Sequence, residues 1–255
     1  MRSHRLVTFR MTTLRMPSLR SGSLRSLLLA LLLLLSPLGP VACAAPGPST
    51  SFGCGASGVP CLKGTALVEL TTSKGTVELS LDGSAAPLTA GNFVDLVRRG
   101  TYNGTLFHRV VKEPIPFVVQ GGDPQSANPN TPVDLLGTGS FVDPTTGQPR
   151  LIPLELFLDG DSSPRYGEIT VGPGKAEKLK LQHQRGALAM ARSNDPNSAS
   201  AQFYIALRAL PELDGRYAVF GRVTKGMDVV DRISQGDKLI SAKVLQGGTL
   251  VQDAK

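Results

Sequence analysis

Between residues 66 and 81 the chain alternates apolar and polar positions twice, over 66–70 and again over 76–81, with Ser73-Lys74-Gly75 between the two runs. Period-two alternation broken by a glycine-bearing turn predicts a β-hairpin. The period then changes. Across 86–100, Leu88, Phe93, Leu96 and Val97 approximate helical spacing, with Thr89 as candidate cap and Gly100 as the stop. The stretch "FHRVVKEPIPFVVQGGD", residues 107–123, returns to strand character, as two apolar runs around a proline-bearing bend. "RGALAMA", "QFYIAL", "YAVFGRV" and "LISAKVLQGG" are further short strand-type runs, and a short helix is expected over 226–233. Residues 124–150, with repeated Pro, Asn, Gly and Thr, read as a long loop of the kind that is functional or inserted. Many short strands, two helices and no strand–helix alternation argue for an all-β barrel or sandwich whose openings are covered by helices.

The pattern upstream is different. Residues 27–35 are nine consecutive apolar positions, well short of the roughly 18–20 that cross a bilayer. Preceded by arginines and followed by small residues, they fit the apolar region of a secretory signal. Two processing routes remain open in "SPLGPVACAAP": cleavage after Ala44, or lipid attachment to Cys43. Met11 and Met16 are alternative starts to Met1, and the acid-free, Arg/Ser-rich leader also fits an organelle transit sequence. The segment divides as leader 1–43, a Gly/Pro/Ser/Ala-rich linker 44–63, a body 64–250 and a tail 251–255. Cys54 and Cys61 lie in the linker with six residues between them. In an exported chain such a pair points to a disulfide; two free thiols in a loose arm are the alternative.

Charge changes the picture once the leader is set aside. The net charge is +7, but Arg2, Arg5, Arg10, Arg15, Arg20 and Arg25 all precede the first acid, Glu69. Without those six, 21 basic residues face 20 acidic ones. The body therefore carries no basic excess for nucleic acid.

The usual reagents are missing as well. The chain has no Gly-x-Ser-x-Gly, no metal-spaced histidine pair and no phosphate loop, and Gly137-Thr138-Gly139 is a weak glycine pattern on its own. Beyond the leader the only histidines are His108 and His183, both read as structural, so no metal and no cofactor are expected. What stands out is Arg109, with no carboxylate within three residues on either side, together with Gln120 and several aromatics. One reaction needs only such a set. Rotation about an X-Pro bond faces a barrier of roughly 18–20 kcal/mol from amide resonance and takes tens of seconds or more unaided. A catalyst must hold the proline ring in an apolar cup and donate to the nitrogen lone pair freed as the amide twists. An arginine supplies that donor without losing its charge. An acceleration of roughly a million-fold asks for about 8 kcal/mol of selective transition-state binding.

"YNGTLFHRV", "FVVQGGDP", "RGALAMARSNDPNSASAQFYI" and "LDGRYAVFGRV" resemble the cyclophilins, the peptidyl-prolyl cis–trans isomerases, and the last three are similar to the bacterial exported branch. The resemblance runs from about Ala66 to Gly247. It implies an eight-stranded antiparallel β-barrel capped by two α-helices, with the active site on the barrel's outer face. It implies that Arg109 donates to the prolyl nitrogen, that Gln120 holds Arg109 and the substrate backbone, and that Phe117 floors the proline pocket. It places His108, Val118, Ala191, Arg192, Gln202, Tyr204, Leu213, Tyr217 and Phe220 among the substrate-binding residues. The implied partners are proline-containing polypeptides during folding of exported proteins. The chain is expected to be a monomer in a periplasm or organelle lumen, meeting a membrane only through its leader or a lipid on Cys43. A rival reading is a proline-segment-binding or chaperone module on the same fold with little turnover. Three departures from the family pattern bear on this. Glu212 stands where the best-known members have the Trp important for cyclosporin binding. The bend at 112–116 is longer than usual and puts the relative placement of Arg109 and Phe117 in question. Residues 124–150 exceed the usual segment and bear on the groove for residues preceding proline.

Overall fold

The computed structural model describes residues 53–54, 58–172 and 178–252. The leader with its apolar run and Cys43 lie outside these residues. Among the described residues no helix is long and apolar enough to cross a membrane.

The first hairpin forms where the alternation places it. Strand β1 is Cys61–Thr72 and β2 is Gly75–Asp82, in register from Thr65↔Asp82 to Thr72↔Gly75. Thr72 closes the two-residue turn: its Oγ1 accepts from the Lys74 amide at 3.1 Å and donates to the Gly75 carbonyl at 2.8 Å. β1 opens at Cys61 rather than near Gly64, because Cys61, Leu62 and Lys63 pair with Val251, Leu250 and Thr249. Cys61 is buried in that strand and joined by a disulfide to Cys54.

Helix α1, Pro87–Arg98, buries Leu88, Phe93, Val94, Leu96 and Val97. It stops as its sequence dictates. Gly100 adopts φ +70°, its amide donates to Val97 and the Thr101 amide donates to Leu96, a Schellman closure. Its start differs from expectation. Thr89 is not the cap; the helix begins two residues earlier, and Ala86 before it offers no side-chain hydrogen bond. The amides of Leu88 and Thr89 instead donate to the two carboxylate oxygens of buried Glu155, at 3.1 and 2.7 Å. A carboxylate at a helix N-terminus also meets the positive end of the helix dipole.

The remaining strands are β3 Thr105–Leu106, β4 Arg109–Val111, β5 Val118–Gly121, β6 Glu155–Leu156, β7 Arg165–Tyr166, β8 Ala187–Met190, β9 Phe203–Ala206, β10 Val219–Lys225 and β11 Lys238–Val251. Helix α2, Met227–Arg232, lies within the predicted 226–233. Among the described residues nine strands form one antiparallel sheet, in the order β3-β11-β1-β2-β10-β8-β9-β5-β4, and β6 pairs with β7 apart from it. The two edges of the large sheet, β3 and β4, are halves of one chain run separated only by Phe107 and His108. The sheet thus curls until its ends meet in a single segment, and counting that segment once leaves eight chain runs.

The inner face packs around Phe93, which α1 delivers to within 5.0–5.4 Å of the rings of Tyr102, Phe203 and Phe220. All four rings are fully buried, each worth on the order of 2–3 kcal/mol of burial. The fold is mainly β with two helices, as the resemblance implies.

Candidate active site

Strand alternation decides what faces outward. Cross-strand partners share a face, and the register sets Arg109 opposite Gln120, Gln120 opposite Tyr204, Tyr204 opposite Ala189, and Ala189 opposite Val219. Their immediate neighbours Val119, Phe203, Leu188 and Phe220 belong to the interior core. A second apolar cluster gathers on the other face: Val118, Tyr204, Ala189 and Val219, with Phe117, Ala191, Leu213 and Tyr217 partly buried against it. The sequence-derived set converges here with two exceptions, Phe220 and His108. Phe220 is fully buried in the interior, 5.2 Å from Phe93, and cannot line a surface pocket. The outward position on that strand is Val219, one residue earlier, because side chains alternate along β10.

Arg109 is exposed at the edge of this cluster, its guanidinium carbon 5.7 Å from the centroid of the Phe117 ring. The longer bend has not parted the two. The Phe117 amide donates to Val111 at 3.0 Å and closes the bend at its base, and Glu113, Pro114, Ile115 and Pro116 bulge outward, all exposed. Nη1 of Arg109 donates to Oε1 of Gln120 at 3.4 Å, and Nε2 of Gln120 donates to Oε1 of Gln202 at 3.2 Å. Nε2 of Gln202 in turn donates to the carbonyls of Gly137 and Gly139, at 3.0 and 2.8 Å. A chain of neutral amides therefore orients the guanidinium and ties it to the long loop. Among the described residues no carboxylate forms an ion pair with Arg109.

That loop is anchored by Asp123, the last residue of Gln-Gly-Gly-Asp. Its carboxylate accepts from the amides of Gly137 at 2.6 Å and Gln125 at 2.9 Å. Both loop glycines are required by close approach. A Cβ on Gly139 would come within 2.1 Å of an Asp123 oxygen, and one on Gly137 within 3.0 Å of the His108 ring, at a φ of +89°. The weak pattern Gly137-Thr138-Gly139 is thus part of the site's wall. With Gln120, Ala191, Arg192 and Gln202, its residues line a groove beside the apolar cluster. His108 sits half-buried beneath this wall. Burial pushes its imidazole below the ordinary 6.5, opposed by nearby Asp123, and the neutral ring serves as packing under Gly137.

Tyr204 carries a feature the sequence reading missed. Its hydroxyl lies 2.9 Å from Nε2 of His183, whose Nδ1 lies 2.7 Å from Oδ1 of Asp214, and all three residues are buried. Burial raises the Tyr204 phenol well above 10.0, so it keeps its proton and can donate it to Nε2. Nδ1–H then donates to the carboxylate. The Asp214 of "LDGR" was the available signal, but nothing local ties it to a histidine 31 residues upstream.

The chemistry available is narrow. An apolar cup walled by Phe117, Leu213, Tyr204 and Tyr217 adjoins a fixed, unneutralised guanidinium. No group of three or more potential metal ligands occurs among the described residues. Such a site can hold an apolar ring and donate hydrogen bonds.

Residues 67–252 match the family model described as cyclophilin type peptidyl-prolyl cis-trans isomerase/CLD. A putative thylakoid lumen peptidyl-prolyl cis-trans isomerase of Synechocystis is 39% identical over 199 residues, 74% of this chain and 49% of that protein. Peptidyl-prolyl cis-trans isomerase A of Dickeya dadantii is 37% identical over 174 residues, 66% of this chain and 70% of that protein. The chain thus spans about half the length of the cyanobacterial relative. The crystal structure of a cyclophilin from Hirschia baltica superposes with a TM-score of 0.51 at 26% identity, over 72% of this chain and 76% of that one.

Proposed function

Because this chain belongs to the cyclophilin-type peptidyl-prolyl cis–trans isomerase family, we propose that it accelerates X-Pro bond rotation in proline-containing segments of exported or lumenal proteins. The observation that carries the reading is Arg109. It is held by the neutral Gln120 at the rim of an apolar pocket, with no carboxylate paired to it among the described residues. The proline ring enters the cup formed by Phe117, Tyr204, Leu213 and Tyr217. The rest of the segment lies along Ala191, Arg192, Gln202 and the 137–139 wall. As the amide leaves planarity, its nitrogen regains a lone pair and its carbonyl oxygen loses resonance charge. A guanidinium N–H then donates to that nitrogen. The bond exists only in the twisted state, so it lowers the barrier rather than merely tightening binding. No covalent intermediate and no cofactor is required.

The cellular setting is part of the proposal. The cyanobacterial relative is named as a thylakoid lumen protein. The leader pattern and the Cys54–Cys61 bond both favour an oxidising compartment outside the cytosol.

Protease-coupled turnover of a proline peptide tests the reading. Isomerisation well above the uncatalysed rate supports it. Peptide binding at the same pocket without turnover would favour a recognition module on this fold.

A further inference from the structure

The pocket is flanked by positive charge that nothing in the described residues neutralises. Arg192 stacks its guanidinium 4.7 Å from the centroid of Tyr217, a wall of the proline cup. Its nitrogens are fixed by carbonyls alone: Nε and Nη2 donate to Arg216 at 3.0 and 2.7 Å, and Nη1 donates to Ser193 at 2.7 Å and Asn194 at 3.1 Å. The Arg216 side chain is exposed and forms no ion pair among the described residues. Three carboxylates close by in the sequence are committed elsewhere. Glu212 pairs with Arg208 at 2.6 Å, Asp214 holds His183, and Asp195 caps its own turn through the Asn197 amide. Arg109 stands across the pocket on Phe117. Two guanidiniums stacked on aromatic walls of the pocket, with exposed Arg216 next in sequence to Tyr217, give the site a positive field that the body's near-zero net charge does not suggest.

We propose that this site selects segments in which an acidic residue lies within two positions of the proline, with Arg192 and Arg216 as the specificity-determining residues. The inference rests on the isomerase reading of the pocket and adds the substrate class. Arg192 suits the role because its guanidinium is already immobilised by four carbonyl contacts, so pairing a substrate carboxylate costs little further ordering. Arg192 also lines the groove that continues past Gln120 and Ala191, which places its charge along the substrate backbone rather than at the ring alone.

The test uses short proline peptides that differ only by Glu, Gln or Lys at each of the two positions on either side of the proline. Turnover gives kcat/KM, and calorimetric titration gives Kd for the same peptides. At low ionic strength at least one position is expected to favour Glu over Gln by about three- to tenfold and to disfavour Lys. The preference should collapse near 1 M salt, where the screening length is about 3 Å. Arg192→Gln and, independently, Arg216→Gln should lower the Glu:Gln ratio, with Arg192→Lys, which keeps the charge but not the carbonyl-held fork, lowering it less than Arg192→Gln. A ratio near one at all four positions, with good turnover of the Gln peptides, overturns the charge selection and leaves the isomerase reading standing. Absence of turnover on every peptide overturns the isomerase reading, and the Kd ratios then decide the selection by the same criterion.

Discussion

The Tyr204 hydroxyl sits 2.9 Å from Nε2 of His183, so an aromatic wall of the outer pocket is pinned from beneath by a buried polar chain that ends on Asp214. The two rings are also nearly parallel, with centroids 5.9 Å apart. Tyr204→Phe keeps the ring and removes the hydroxyl, leaving a buried imidazole nitrogen unpaired. A loss of about 1–3 kcal/mol is expected in denaturant unfolding, because an orphaned buried polar group costs its full desolvation. Adding His183→Leu would leave Asp214 with only the backbone amide of residue 183, which lies 2.9 Å from its Oδ1, so that double variant should be no more stable. An unchanged midpoint in Tyr204→Phe would show that the chain does not support the wall.

Glu155 links β6 to α1, accepting from two helix amides and from the Tyr166 hydroxyl at 2.9 Å. Burial raises its carboxyl above 4.5, against the hydrogen bonds that lower it. Above the unfolded value the folded protein holds this proton more tightly than the unfolded chain does. This group's contribution to stability is therefore greatest at low pH and declines as pH rises past 4.5 toward the folded value. Glu155→Gln removes that dependence and loses one acceptor, so it should be less stable than the parent. The gap between parent and variant should narrow as pH rises from about 4 to 7. Unfolding curves of both proteins across that range check the sign, and a gap that widens with pH would contradict it.

Much of this arrangement was legible in the sequence, and the misses share a cause. The β1–β2 hairpin, α1 and α2 follow from local period and turn chemistry, and Arg109, Gln120 and Gln202 sit in short motifs that fall on adjacent strands. Thr89 as cap failed because Glu155, 66 residues away, supplies the cap through the fold. Phe220 failed because motif position does not reveal the inward or outward phase of a strand; pairing Val219 with Ala189 does. The His183–Asp214 contact and the loop glycines against Asp123 and His108 are likewise products of tertiary approach, for which no local pattern exists.

Glu212 bears on inhibition rather than catalysis. It is exposed and paired with Arg208 at 2.6 Å, offering a charge where the resemblance places an indole. Cyclosporin should inhibit turnover weakly, because an ion pair presents neither the apolar face nor the N–H donor of Trp. Glu212→Trp should tighten inhibition while changing kcat/KM little. Submicromolar inhibition of the parent protein would show that the position is not decisive.

The central claim is that Arg109 is placed for the substrate, and peptide isomerisation by Arg109→Ala, measured beside thermal unfolding, tests it most directly. Loss of roughly 100-fold or more in kcat/KM is expected, since a charged donor at a developing lone pair is worth about 3 kcal/mol. Arg109→Lys should also be costly, because a point charge does not reproduce the planar fork held by Gln120. Stability should change little, as the guanidinium is exposed and free of ion pairs. A folded Arg109→Ala protein with the parent's turnover would contradict the account.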